Sequence, residues 1–197
     1  KIFADIDVFD IEVDAKDPEK FIETVKNIAP TFGGINLEDI KAPEAFEIEN
    51  RLKDELNIPV MHDDQHGTAI ISAAALINAL EIANKNIEDI KIVVSGAGSA
   101  AIACTDLYAF MGAKTKNIYM FDIDGLVSEN RTDLLPNQMK YAQKDQNLKM
   151  IDAIKNADVF LGLSAGGVLK PEMLKSMAKD PIVFAMANPE PEIEYDL

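Results

Sequence analysis

The sequence predicts an α/β fold with a parallel, doubly wound sheet. Short apolar segments of strand length alternate with longer segments whose apolar residues recur at helical spacing. The apolar segment that ends at Ser95 runs into a glycine turn of the form G-x-G-x-x-A. Polar and acidic residues follow the apolar segments, at the strand ends where ligands bind in sheets of this kind. We therefore expect a Rossmann-like domain preceded by further βα units.

Length and composition narrow the possible classes of function. With 197 residues, 48% of them hydrophobic, the chain can bury a core of one large domain or of one domain and part of another. The net charge of −15 argues against nucleic acid and anionic membranes as partners. The longest apolar run, 69–80, is too short to span a bilayer. One cysteine, Cys104, excludes an internal disulfide, so we expect a cytoplasmic protein.

The first part of the chain predicts three strands and three helices. The predicted strands are 6–13, 32–37 and 58–62. The predicted helices begin at Asp17-Pro18, at Pro43 and at Gly67-Thr68. The third helix runs to Ala83 and is apolar on nearly all sides, so we expect it to be buried between layers. We assign 1–66 to part of a catalytic, metal-binding region.

From residue 67 to 197 the pattern is that of a Rossmann-like dinucleotide-binding domain. The predicted strands are 91–95, 117–122, 158–163 and 182–186. Helices are predicted at 98–111, near 147–156 and from Pro171, whereas 126–145 is polar and predicted to be irregular. The chain begins with a segment typical of an interior strand and ends in a proline-broken acidic stretch without a closing element, so we expect it to be a piece of a longer polypeptide.

The glycine turn favours a dinucleotide. Gly96 permits a tight turn, Gly98 lets the backbone approach a pyrophosphate, and Ala101 is small enough for close helix packing. Asp122, at the end of the next strand, can accept hydrogen bonds from the ribose hydroxyls and would repel a 2′-phosphate, which favours NAD over NADP. Arg131 could pair with such a phosphate, so NADP stays open.

Two acidic doublets, Glu38-Asp39 and Asp63-Asp64, each follow a predicted strand. Four carboxylates on neighbouring strand ends repel one another unless they share a cation or a proton, and hard oxygen ligands suit Mg²⁺ or Mn²⁺. Helix capping and solvation are the alternative explanation. A zinc site at His62 and His66 is disfavoured, because the sequence does not place both on an established helix.

These residues resemble the bacterial malic enzymes. The similar segments are 31–44, 58–69, 94–98, 160–169 and 187–189, which follow in order along essentially the whole chain. The chain is similar to the central metal- and dinucleotide-binding portion of that family. The resemblance implies oxidation of malate with NAD or NADP and decarboxylation to pyruvate, with Mg²⁺ or Mn²⁺ as the metal.

The resemblance also implies roles for individual residues. The metal ligands would be Glu38, Asp39 and Asp64, and Asp63 would be a catalytic acid that supports the general base. The dinucleotide would be bound by Gly96, Ala97, Gly98, Ser99, Ala100, Asp122, Ser164, Gly166 and Gly167. Asn188 would lie near the nicotinamide and the substrate, with a catalytic and a cofactor-binding role.

Three further readings stay open. The base lysine and the proton-donating tyrosine of the family precede the region where this chain starts, which leaves open that the chain by itself is inactive. A metal-independent NAD(P) dehydrogenase of another substrate would leave the two doublets unexplained. A dinucleotide-binding or regulatory domain without turnover is the other alternative. We expect a homodimer, because the first strand and the third helix need partners.

Overall fold

The computed structural model describes residues 4–145 and 147–196, and the chain forms two units, Lys1–His62 and Asp63–Leu197. The predicted domain boundary, after residue 66, falls inside the first helix of the second unit.

The first unit is built from two helices and two short strands. These are α1 (Pro18–Ile28), β1 (Ile35–Leu37), α2 (Glu44–Glu55) and β2 (Val60–His62). The strands pair in parallel, with Leu37 opposite His62, so both run toward the same edge. Their core consists of Ile22, Val25, Leu37, Ile48, Leu52 and Val60. The predicted start of α1 is confirmed, since the Asp17 side chain accepts a hydrogen bond from the Glu19 amide and Pro18 follows.

The predicted strand at 6–13 is wrong. This segment has no strand structure, and most of its apolar side chains are exposed, with Val8 65% and Phe9 69% accessible. Alternating apolar residues indicate a strand only when a neighbouring strand supplies hydrogen bonds. Among residues 4–145 and 147–196, no strand pairs with this segment.

The second unit contains a five-stranded sheet and five α-helices within its described residues. In chain order they are α3 (Asp63–Ala83), β3 (Ile92–Ser95), α4 (Ser99–Phe110), β4 (Ile118–Asp122), β5 (Gly125–Leu126), α5 (Pro136–Met139), α6 (Met150–Ala153), β6 (Val159–Gly162), α7 (Pro171–Lys175) and β7 (Ile182–Ala185). The strand order is β5-β4-β3-β6-β7. All neighbours are parallel except β4 and β5. The predicted α/β fold with a parallel sheet is confirmed.

Helices cover both faces of this sheet. Ile92 and Val94 of β3 belong to one core cluster, together with residues of α3 and α4. Val93, between them, belongs to a second cluster with residues of α6 and α7. This alternation is why β3 is apolar at nearly every position. The chain leaves β3 toward β4 and later returns to the other side at β6, so the carboxyl ends of β3 and β6 form the topological switch point.

The segment between β4 and β6 differs from the prediction. Residues 126–145, predicted to be irregular, contain the end of β5 and the single-turn helix α5. The helix predicted near 147–156 is the four-residue α6. Leu126 reaches a buried position through the turn at Gly125, whose φ is +114°, and a polar segment gives no periodic signal for such a turn.

Helix α3 differs from the prediction in its start and in its burial. It begins at Asp63, directly after β2, so the second acidic doublet forms its first turn. The expected burial on nearly all sides is wrong, because Ile71 and Ile82 are 67% and 88% exposed. One face packs on α4, where the Ser72 hydroxyl lies 3.4 Å from the Cys104 sulfur. The apolar run 69–80 is too short to span a bilayer, but the whole helix of 21 residues that contains it is long and apolar enough, a property that core helices of soluble proteins share.

Candidate active site

The glycine turn at the end of β3 is fixed by backbone contacts. The Gly96 amide donates to the carbonyl of Phe121 at 2.7 Å, and Gly96 has a φ of +116°. A Cβ atom at this position would lie 2.6 Å from the carbonyl oxygen of Leu163. The Gln138 side chain of α5 donates to the Ala97 carbonyl at 2.9 Å. The fold therefore requires glycine at 96 and holds the turn from two sides.

Gly98 has no comparable explanation within the chain. Its φ of −80° is open to any residue, and no atom lies within 4 Å of the position of a Cβ. Gly98 is exposed and precedes α4, whose first amide with an intrahelical acceptor is that of Ile102. The amides of Ser99 and Ala100 thus belong to the helix N-terminus, which favours a negative charge. An open space before these amides fits a pyrophosphate.

Asp122 forms an ion pair with Arg131 that the sequence did not predict. Both of its carboxylate oxygens lie 2.8 Å from guanidinium nitrogens of Arg131. Arg131 also donates to Asp133, and its hydrogen bonds to Asp133 and Asp122 raise the pKa of the guanidinium. The same bond holds the pKa of the Asp133 carboxyl below its ordinary value. Arg131 therefore lies beside the acid predicted to bind the ribose.

The loops after β6 and β7 complete this edge of the sheet. The hydroxyl groups of Ser164 and Ser95 lie 2.7 Å apart and join the ends of β6 and β3. Gly167 has a φ of +72°, so its conformation favours glycine. Asn188, exposed, comes three residues after β7. The second unit thus places these predicted cofactor residues at strand ends of one sheet, as expected for ligand contacts.

The first acidic doublet follows β1 on the first unit. Both acids are exposed, and the Glu38 carboxylate accepts a hydrogen bond from the Asn36 side chain at 3.0 Å. Asp39 has a φ of +57°, a conformation that costs most residues free energy but that aspartate tolerates. Nearby in the same unit, the buried Glu49 carboxylate accepts from the amide of His62 at 3.0 Å and fixes the end of β2.

The second doublet stands in the first turn of α3, where carboxylates are favoured by the helix dipole. The Asp63 carboxylate folds back over Gly67, one turn further on. A Cβ atom at Gly67 would lie 2.2 Å from a carboxylate oxygen of Asp63. Glycine inside a helix normally lowers stability. We infer that glycine occupies position 67 because any larger residue would collide with the Asp63 carboxylate.

The proposed metal ligands are divided between the units, with Glu38 and Asp39 in the first and Asp64 in the second. Within each unit, the described residues contain no group of three or more His, Cys, Asp or Glu side chains that could hold a metal ion. The carboxylate donors themselves are the kind that Mg²⁺ and Mn²⁺ accept. That the three acids share one ion stays a prediction.

Three features of this region were missed from the sequence. They are the room that Gly67 gives to Asp63, the pairing of Arg131 with Asp122, and the buried carboxylate of Glu192 behind the β6 and β7 loops. Only the first left a signal, namely a glycine four residues after an acid at the start of a helical pattern. The other two join residues whose contact depends on the path of irregular segments.

The fold and its glycine turn define a protein of the Rossmann-like, dinucleotide-binding class. Comparison of the sequence with models of known protein families identifies the family within this class. The family model described as "Malic enzyme, NAD binding domain" matches residues 65–196, and the one described as "Malic enzyme, N-terminal domain" matches residues 9–53. The chain belongs to the malic enzyme family.

Individual relatives agree with this. The chain is 56% identical over 194 residues to an NAD-dependent malic enzyme of Rhizobium meliloti, covering 98% of this chain and 25% of that protein. It is 55% identical to an NADP-dependent malic enzyme of Haemophilus influenzae, covering 98% of this chain and 26% of that protein. A crystal structure of an NAD-dependent malic enzyme from Thermotoga maritima matches with a TM-score of 0.91 and 43% identity, covering 99% of this chain and 53% of that chain. The chain thus spans between about a quarter and a half of these relatives.

Proposed function

We propose that this chain is part of an enzyme that oxidises malate, reduces NAD(P) and releases carbon dioxide to leave pyruvate. One observation of geometry carries the dinucleotide part of the proposal. Gly98 is a glycine that neither its backbone conformation nor any neighbouring atom requires, and it lies at the switch point before the N-terminus of α4. Space kept open at that position supports binding of a pyrophosphate. Family membership supports malate as the substrate.

The residues divide the chemistry between them. The turn 96–100 would hold the pyrophosphate through backbone amides, and Ser164, Gly166 and Gly167 would border the dinucleotide. Asn188 would orient the nicotinamide and the substrate for hydride transfer. Asp63 would support the general base that takes the proton of the malate hydroxyl.

A divalent cation fits the remaining acids. Glu38, Asp39 and Asp64 would hold Mg²⁺ or Mn²⁺, which supplies Lewis-acid stabilisation of the negative charge that develops during oxidation and decarboxylation. Such a cation would also offset the repulsion between a dicarboxylate substrate and a chain of net charge −15.

For the cofactor we favour NAD over NADP. The carboxylate of Asp122 ends β4, where it can accept hydrogen bonds from ribose hydroxyls and would repel a 2′-phosphate. Arg131 moderates that repulsion through its ion pair, so the preference is expected to be modest. Relatives of both kinds, NAD-dependent and NADP-dependent, are similar to this chain.

We also propose a cytoplasmic homodimer. Four exposed isoleucines of α3 support a partner surface, because a second copy would remove their side chains from water; they are Ile70, Ile71, Ile77 and Ile82. The free, buried Cys104 is compatible with a reducing compartment. Sedimentation of the full-length protein tests the dimer, and a monomer at micromolar concentration would contradict it.

The experiment that tests the function follows nicotinamide reduction by the full-length protein with malate and Mn²⁺, before and after EDTA. We expect turnover that EDTA abolishes and added Mn²⁺ restores. Asp64→Ala should lower metal-dependent turnover by about 10²-fold or more while the fold stays intact. Glu23→Ala, at an exposed acid of α1, is the matched control.

Two results would contradict the proposal. Metal-independent turnover of another substrate would identify a different dehydrogenase. Dinucleotide binding without turnover by the full-length protein would identify a binding or regulatory domain.

A further inference from the structure

Glu192 is a fully buried carboxylate behind the predicted dinucleotide site. Its exposure is 0%, in a segment that is otherwise polar and rich in proline. One carboxylate oxygen accepts from the amide of Ser164 at 2.9 Å and lies 3.4 Å from the Ser164 hydroxyl. The other accepts from the amide of Ala187 at 3.0 Å. A buried charge is tolerated when such donors satisfy it, and each of these bonds is stronger than one between neutral groups.

The surrounding backbone is shaped around this side chain. A Cβ atom at Gly162, the last residue of β6, would lie 2.3 Å from the carboxyl carbon of Glu192. The Glu192 carbonyl accepts from the amide of Leu169, and the Pro191 carbonyl accepts from that of Gly167. The backbone of 191–192 is therefore attached to the loop that follows β6 at Gly167 and at Leu169.

The carboxylate joins the ends of three strands. Ser164 follows β6 and Ala187 follows β7, so the two amides that Glu192 accepts from belong to different loops. The Ser164 hydroxyl continues the network to Ser95, the last residue of β3. Ser164 and Asn188, next to Ala187, are residues predicted to contact the dinucleotide.

We propose that Glu192 is a positioning residue for the dinucleotide: it fixes the loops after β6 and β7 in the geometry that binds the cofactor, without touching it. The inference rests on the proposed dehydrogenase function. Two loops held by one carboxylate are ordered before the ligand arrives, so less ordering entropy opposes binding. Loss of the carboxylate should therefore raise the dissociation constant of the dinucleotide even in protein that remains folded.

The test is Glu192→Gln in the full-length protein. Glutamine keeps the volume but presents an amide donor to one of the two backbone amides, which removes a charge-assisted hydrogen bond. We expect the dissociation constant of NADH or NADPH, measured by fluorescence titration, to rise about 10- to 100-fold. The KM for the oxidised dinucleotide should rise in parallel, whereas Mn²⁺ binding should stay unchanged. Glu194→Gln, at an exposed acid two residues away, is the matched control and should behave as wild type.

A merely structural role would give a different pattern, with a lower unfolding temperature and less active protein but an unchanged dissociation constant. That pattern would overturn the inference. If Glu192→Gln does not fold, Ser95→Ala is the second test of the inference. This variant removes only the hydrogen bond between the Ser95 and Ser164 hydroxyl groups. We expect it to weaken dinucleotide binding about threefold to tenfold, and an unchanged dissociation constant would overturn the inference. Wild type that binds no dinucleotide would instead contradict the proposed function itself.

Discussion

Replacing Gly67 by alanine should separate stability from activity. In the wild type, Gly67 lies one turn after Asp63 in α3, and a Cβ atom there would be 2.2 Å from a carboxylate oxygen of Asp63 and 2.9 Å from its carboxyl carbon. Ordinary contact begins near 3.4 Å, so the carboxylate must move by about 1.2 Å. The carboxylate can move because it is the free end of a side chain, so we expect the helix to stay intact.

The two energetic effects of this change nearly cancel. Alanine in a helix interior is about 1 kcal/mol more favourable than glycine. Forcing Asp63 away from its preferred rotamer costs about 0.5–1.5 kcal/mol. The free energy of unfolding should therefore change by less than about 1 kcal/mol. Activity should respond strongly, because displacement of a catalytic group by about 1 Å can lower the rate about 10²-fold.

The assay compares the kcat for malate oxidation with the denaturant midpoint of the full-length protein. The control is a glycine at an exposed position of another helix, Lys20→Gly in α1, which should lose about 1 kcal/mol of stability without loss of kcat. A Gly67→Ala protein with wild-type kcat would refute the reasoning, since the Asp63 geometry would then be irrelevant to catalysis. A large decrease in the free energy of unfolding of Gly67→Ala would refute the assumption that the Asp63 carboxylate can move away from the added methyl group.

Three further predictions concern the second unit. Gly96→Ala should lower the free energy of unfolding by more than about 2 kcal/mol, measured by denaturant titration, because its φ is +116° and its Cβ would meet the Leu163 carbonyl at 2.6 Å; wild-type stability would contradict this. Arg131→Met should increase the NAD over NADP ratio of kcat/KM about tenfold, since the Asp122 carboxylate loses its cation; an unchanged ratio would place Arg131 outside cofactor choice. Burial raises the pKa of the Cys104 thiol, so the folded protein should react with a thiol reagent at pH 8 far more slowly than the unfolded protein, and equal rates would contradict its burial.

The sequence determined the succession of β3, α4 and β4 and the place of the glycine turn between β3 and α4. Strand β3 lies within the predicted 91–95, and the turn begins at Gly96 as predicted. A run of apolar residues before a glycine turn and a helix is a local pattern, and burial on both faces of a parallel sheet explains it without knowledge of the neighbours. The same locality allowed Asp17-Pro18 to predict the start of α1.

The tertiary structure decided which of these local features have partners. The alternating apolar residues of 6–13 predicted a strand, yet the described chain offers no strand to pair with them. Glu192 lies in a polar segment whose composition predicts exposure to solvent. In the folded chain this segment packs against the loop after β6, which buries the Glu192 side chain. The spacing of apolar residues predicts which face of a segment can be buried, because it is a local property of the sequence. Hydrogen bonds and ion pairs between distant residues depend instead on the path of the whole chain.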